Sequence, residues 1–275
     1  MNEHAIEYAW LLTWNIGPGE ADAEHHGALN PALYPGVGNH PGIPLSELVA
    51  ARDRYPTRFV LGFCPHPEWR HADKMLESAH AMHGVRVCGE WKYRYLLDDP
   101  RCLEIFHAAG RLRMPVVLHL DVPYLLDDAG VRRYQPRWYG GTVDNLEGAL
   151  RACPDTVFIG HAPGFWREIS GEAYRDPDEY PSGPVRPGGR VSQLLDSHPN
   201  LYADLSAGSA LTALSRDPAH ATGFLIRYAG RLLFGRDYYG QELHSFISTL
   251  DLEDKVREQI YWRNAECLVA APTFS

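Results

Sequence analysis

Apolar residues along this chain come in short runs, and several of the runs stop at a polar or ionisable side chain. Residues 9–14, 58–64, 85–92, 115–121, 156–161, 201–206 and 232–237 read as strands buried on both faces, because they are brief and rich in β-branched or aromatic side chains. Between them lie helical patterns at 45–54, 68–83, 143–152, 190–197, 218–228, 242–250 and 253–269. One more helix starts at Asp99-Pro100, a capping residue followed by proline at the first helical position, and runs to about residue 113. Gly84 is a helix stop and Thr142 an N-cap. Strand and helix alternate, so the pattern predicts parallel βαβ units with right-handed crossovers. No G-x-G-x-x-G loop follows any strand, which favours a (β/α)8 TIM-barrel-like fold over a doubly wound sheet. Seven strands are counted, not eight. Residues 1–8 read as the tail of a helix, so the expectation is a single domain, 1–275, that lacks the first barrel strand.

Two connections exceed simple turns. Residues 122–141 carry Tyr124, Tyr134, Trp138 and Tyr139; residues 162–189 carry Trp166, Tyr174 and Tyr180 with Arg167, Arg175 and Arg186. Both leave strand C-termini, so they are expected either to overhang a site as an aromatic, partly cationic lid or to pack as surface loops. A third long segment, 15–44, holds His25, His26 and His40.

The chemistry sits at the strand exits. His119 and Asp121 are two apart and therefore share one face of their strand. His161 and Asp237 end two later runs, and parallel strands exit on one side, so His119, His161 and Asp237 can converge. Imidazole and carboxylate are standard ligands for zinc, manganese or iron. Glu90 and Lys92 form a second pair, read either as metal or proton chemistry with an anion-holding lysine, or as a buried ion pair between strands. Asp204 and Ser206 read as structural hydrogen-bonding residues. His66 follows another strand but has no partner at close ligand spacing, and His80 and His83 are placed on an exposed helix face.

Composition narrows the class. A formal net charge of −9 argues against nucleic acid or an anionic membrane as partner. Five cysteines without a close pair in sequence suit reduced thiols rather than a disulfide framework. No apolar run is long enough for a membrane span, and no signal peptide is seen. These readings predict a cytoplasmic protein acting on a small molecule, with homo-oligomerisation left open by an unpaired strand edge.

Residues 115–121, 157–164, 200–206 and 232–237, with the late Asn264-Ala265, resemble the metal-dependent amidohydrolase superfamily, and within it the amidohydrolase-2 branch of TIM-barrel hydrolases and decarboxylases. The similarity spans about residues 6–269. Its sharpest parts are His119, Gly160-His161-Ala162 and Phe234-Gly235-Arg236-Asp237, where the family usually has Gly-Ser-Asp. The resemblance implies a divalent metal, zinc with manganese as the alternative. His119 would bind it, His161 would bind it or polarise the substrate, and Asp237 would bind it and shuttle the proton of an attacking water. Glu90 is a further candidate ligand, and Lys92, Trp166 and Tyr124 are candidate substrate contacts. The family also draws two ligands from a His-x-His motif on its first strand, and this sequence has none. The expected activity is metal-dependent hydrolysis of an amide, ester or lactone. The competitors are decarboxylation on the same scaffold, a metal-free lyase using Lys92 as a Schiff base, and a barrel that only binds a ligand.

Overall fold

Seven strands among the described residues run parallel and follow one another in chain order. The computed structural model describes residues 1–15, 42–237 and 240–272. β1 (Ala9–Leu11) pairs with β2 (Phe59–Leu61), and a single bridge, Gly62 to Val87, joins that pair to the rest. β3 (Cys88–Trp91) and β4 (Val116–His119) begin a five-stranded parallel sheet. A hairpin, β5 (Tyr124–Leu126) and β6 (Arg132–Tyr134), interrupts the order. β7 (Phe158–His161), β8 (Leu201–Asp204) and β9 (Leu232–Leu233) complete the sheet. Each strand is shorter than its apolar run. His25, His26 and His40 lie outside the described residues.

Alternation along the strands divides the apolar side chains into two sets. Val116, Leu118, Phe158, Ala203 and Leu232 face the helices in the main core. Val60, Val87, Val117, Ile159 and Leu233 fill the barrel interior with Trp10, Leu12 and Tyr202 against them. The expected helices form at Leu45–Arg54, Pro100–Arg111, Val143–Ala152, Arg190–Ser197, Pro218–Arg227 and Glu242–Thr249. The helix expected from residue 68 starts at Ala72 and runs to His83, where Gly84 takes the left-handed conformation (φ 67°) and its amide bonds the His80 carbonyl. His80 is half-buried rather than exposed, with Nδ1 2.7 Å from the Val85 carbonyl. The helix Ala207–Ser215 was not legible, because its small residues show no clear apolar stripe. None of the helices described is long and apolar enough to cross a membrane.

Capping follows the sequence. Asp99 accepts from the Arg101 amide at 2.9 Å. Thr142 Oγ1 accepts from the Asp144 amide at 3.3 Å while Asn145 Oδ1 accepts from the Thr142 amide at 3.0 Å. Thr142→Ala is expected to destabilise the protein by about 1 kcal/mol in urea unfolding, the usual cost of a lost cap.

Among the described residues no ladder joins β9 to β1. The Leu233 carbonyl accepts from the Leu205 amide of β8, so the Leu232 carbonyl and Phe234 amide face the other way. Buried peptide groups need partners, and the C-terminal helical segment supplies them. Asn264 Nδ2 donates to the carbonyls of Leu232 and Ala229, both at 2.7 Å, and the Phe234 amide donates to the Ile260 carbonyl at 2.9 Å. Ile260 lies in a π-helical turn, Gln259–Arg263.

Candidate active site

The inner face of the sheet turns from apolar to ionisable over one step of the pleat. β4 and β7 pair in register, with Val117 beside Ile159 and His119 beside His161. Because Val117 and Ile159 face inward, the two histidines two residues further on do too. Their rings meet edge to face with centroids 5.3 Å apart. Glu90 reaches the same point by a different route. Cys88 pairs with Val116 and Trp91 with Leu118, so Gly89 and Glu90 together oppose Val117. Such a bulge re-aims a side chain. Trp91 stays in the outer core, and Glu90 Oε1 comes to 2.6 Å from His119 Nδ1.

His119 Nε2 in turn lies 2.9 Å from Asp121 Oδ2. Lys92 stands on the same side, its Nζ 4.7 Å from the Trp14 ring centroid and 5.3 Å from that of Tyr139. Burial disfavours charge on all three cluster groups, but their mutual attraction prevails. Lys92 and His119 hold Glu90 well below the ordinary carboxylate range. Burial and Lys92 push His119 down, yet Asp121 and Glu90 raise it overall. Burial raises Asp121, and His119 and Lys92 lower it further still. His119 thus bridges two carboxylates, Glu90 at Nδ1 and Asp121 at Nε2.

His161 is anchored from the next strand. Its Nδ1 is 3.1 Å from Ser206 Oγ and 3.9 Å from Asp204 Oδ2. Burial pushes the Asp204 carboxyl up, and the charge of Asp237 adds to that. Gly235 leaves the space these groups occupy, since a Cβ there would lie 2.9 Å from Asp204 Oδ1. Gly164 has the same role below Asp121, where a Cβ would lie 2.5 Å from the Leu120 carbonyl oxygen.

The ligand atoms of Glu90, His119 and His161 all lie within 4.8 Å of one another. Bonds of about 2.0–2.2 Å to one ion place its ligands up to ~4.4 Å apart. Two imidazoles and a carboxylate are also a set that first-row divalent metals accept. The residues fit such an ion, provided His119 releases a proton and one carboxylate partner. Asp237 is not in this group; it lies exposed past the end of β9, near Asp204, with a left-handed φ of 36°. Trp166 is buried, its indole donating to the Asp204 carbonyl at 2.9 Å. Tyr124 is 51% exposed on the hairpin, edge to face with Tyr134.

A profile of the amidohydrolase family, Amidohydro_2, matches residues 45–269. The chain belongs to the amidohydrolase family. Solved structures agree on the TIM-barrel fold. An uncharacterised TIM-barrel protein, Bb4693 from Bordetella bronchiseptica, superposes with a TM-score of 0.56 at 19% identity, covering 83% of this chain and 72% of that one. A 2,6-dihydroxybenzoate decarboxylase from Rhizobium gives 0.50 at 17% identity over 81% of this chain and 74% of that one. A candidate 2-pyrone-4,6-dicarboxylic acid hydrolase from Pseudomonas putida gives 0.51 at 16% identity over 81% and 76%. No curated protein matches the chain.

Three amidohydrolase site neighbours escaped the sequence reading as functional residues. Asp121 carried a usable signal, its two-residue spacing from His119. Trp14 ends a strand run and Tyr139 belongs to the aromatic stretch 122–141, but that the two flank Lys92 depends on an approach only folding defines.

Proposed function

We propose that this amidohydrolase is a metal-dependent hydrolase of a small organic amide, ester or lactone. The observation that carries the reading is the Glu90, His119 and His161 cluster at the strand exits. These three residues would hold a divalent ion, with zinc the first candidate and manganese the second. Such an ion supplies Lewis acidity, lowering the pKa of water towards neutrality and polarising a carbonyl. His161 either completes the ligand set or polarises the substrate, oriented by Ser206. Asp237 and Asp204, close enough to influence one another, take and return the proton of the attacking water. Lys92 holds an anionic group of the substrate. Tyr124 lies on the hairpin at the rim, and Trp166 shapes the wall.

A second reading, decarboxylation of an aromatic acid, is favoured by the Lys92 ammonium seated between Trp14 and Tyr139. A cation framed by aromatic faces suits a carboxylated ring.

Metal analysis of the purified protein is the first test, followed by parallel assays for lactone or amide opening and for carbon dioxide release. A protein without stoichiometric divalent metal, fully active in chelator, would sink both readings. Asp237→Asn is expected to lower turnover ~10²–10⁴-fold, the usual contribution of a positioned proton-transfer group. Its melting temperature should change little, since the side chain is exposed. Near-native turnover would remove Asp237 from the mechanism.

A further inference from the structure

Nothing in that chemistry uses Arg167. Its guanidinium lies just beyond the short helix Pro163–Trp166 that follows His161, and the residue is only 4% exposed. Nη2 donates to the carbonyls of Ala173 at 2.6 Å and Asp176 at 2.9 Å, which fixes the group in place. Nε and Nη1 are buried with no acceptor among the described residues, although Glu168, Asp176, Glu179 and Asp178 are near enough for their charges to act on the guanidinium. Ser209, 3% exposed on the helix after β8, also buries a hydroxyl without a partner. Both residues line one small open cleft, together with Trp166, Thr212, Glu179 and Arg216.

Buried donors are almost always satisfied, so two orphaned groups on one cleft call for an acceptor. A cation deprived of water calls for a negatively charged one. The enclosed part of the cleft is about 10 Å³, the size of one water or the end of one carboxylate. It can therefore receive only the tip of a larger molecule. The remainder would lie towards the mouth, because the cleft wall at Pro163 and Trp166 flanks Gly164, which packs against Asp121, and the Trp166 indole donates to the Asp204 carbonyl.

We propose that Arg167 and Ser209 form a specificity subsite that binds a carboxylate of the substrate remote from the reacting carbon. The proposal rests on the reading of the neighbouring cluster as an active site, and it narrows the substrate to a compound with two acidic or carbonyl-bearing ends. One end meets the Glu90, His119 and Lys92 group and the other meets Arg167.

The test is done on the full chain after metal removal, by calorimetric titration with the dicarboxylates from malonate to adipate and with the monocarboxylates acetate to hexanoate. Trp166 fluorescence provides a second readout beside the cleft. One dicarboxylate length is expected to bind at least about tenfold tighter than its monocarboxylate counterpart, the worth of one charge-assisted hydrogen bond. Arg167→Met and Ser209→Val should each erase that preference. The serine variant fills the cleft without removing the charge, so it decides the matter if the arginine variant does not fold. Equal binding of mono- and dicarboxylates, or a preference that survives both substitutions, would mean that the cleft holds only water and would overturn the subsite. Metal content of the protein as purified, measured before the metal is removed, separates the two claims. A metal-binding protein without the preference loses the subsite alone, and a protein that shows the preference but binds no metal loses the catalytic reading.

Discussion

His119→Asn is expected to abolish stoichiometric binding of a divalent ion and to lower turnover by about 10²–10⁴-fold. His119 is the hub of the cluster, in contact with Glu90 on one ring nitrogen and Asp121 on the other. An asparagine can hydrogen-bond one carboxylate, but it cannot carry the charge that keeps both ionised. Loss of the ring removes the group that helps hold both buried carboxyls low, so their pKa values should rise. Metal content, steady-state rates and circular dichroism on one preparation check the outcome. Full activity in a folded, metal-free His119→Asn protein would end the metal reading.

The same cluster sets a pH signature for the metal-stripped protein. Glu90 and Asp121 have folded pKa values below their ordinary ones. Their contribution to stability is therefore present above their unfolded pKa and is lost as pH falls through the lowered values. The folded pKa of His119 is raised. Its contribution is complete below its unfolded pKa and is lost as pH rises through the raised value. The cluster should be strongest between about pH 4.5 and 6.5. The melting temperature of wild type relative to His119→Asn should be greatest in that window, and an identical pH profile for the two proteins would contradict the assignment.

Asn264→Ala is expected to destabilise the fold by about 2–5 kcal/mol, although the residue is far from any chemistry. Its amide group satisfies the carbonyls of Leu232 and Ala229 on the side of β9 away from β8, where no described strand pairs with it. Each buried carbonyl left without a donor costs about 1–3 kcal/mol. Asn264→Asp, which keeps the shape but removes the donor, should be at least as harmful. Urea unfolding measures both, and a loss below about 1 kcal/mol in either would show that water replaces the amide.

Much of this architecture was legible before folding was considered. The spacing of apolar runs and helical stretches is a local property, so parallel strands, their order and most helix ends could be read directly. The helix stop at Gly84 and the caps at Asp99 and Thr142 depend on side chains within a few residues. The inward aim of His119 and His161 followed from strand parity. The hairpin at Tyr124–Leu126 and Arg132–Tyr134 lies within a stretch whose sequence reads as a long connection, since its strands bear no apolar alternation. Cys64 and Cys88 looked unrelated in sequence, yet their sulfurs lie 3.7 Å apart across neighbouring strands.

Glu90 marks where local reading ends. Counting by twos from Val87 would turn it away from His119, and only the bulge opposite Val117 brings it in. The pairing of Arg167 with Ser209, and the cage of Trp14 and Tyr139 around Lys92, join residues far apart in the chain. The sequence by itself determined the alternation of strands and helices and the ionisable residues delivered at the strand exits, because periodicity and capping act over a few residues. Tertiary structure alone decided which of those residues contact one another, which cations lie beside them and how the edge of β9 is satisfied, because charge coupling and burial depend on distance in space rather than on separation along the chain.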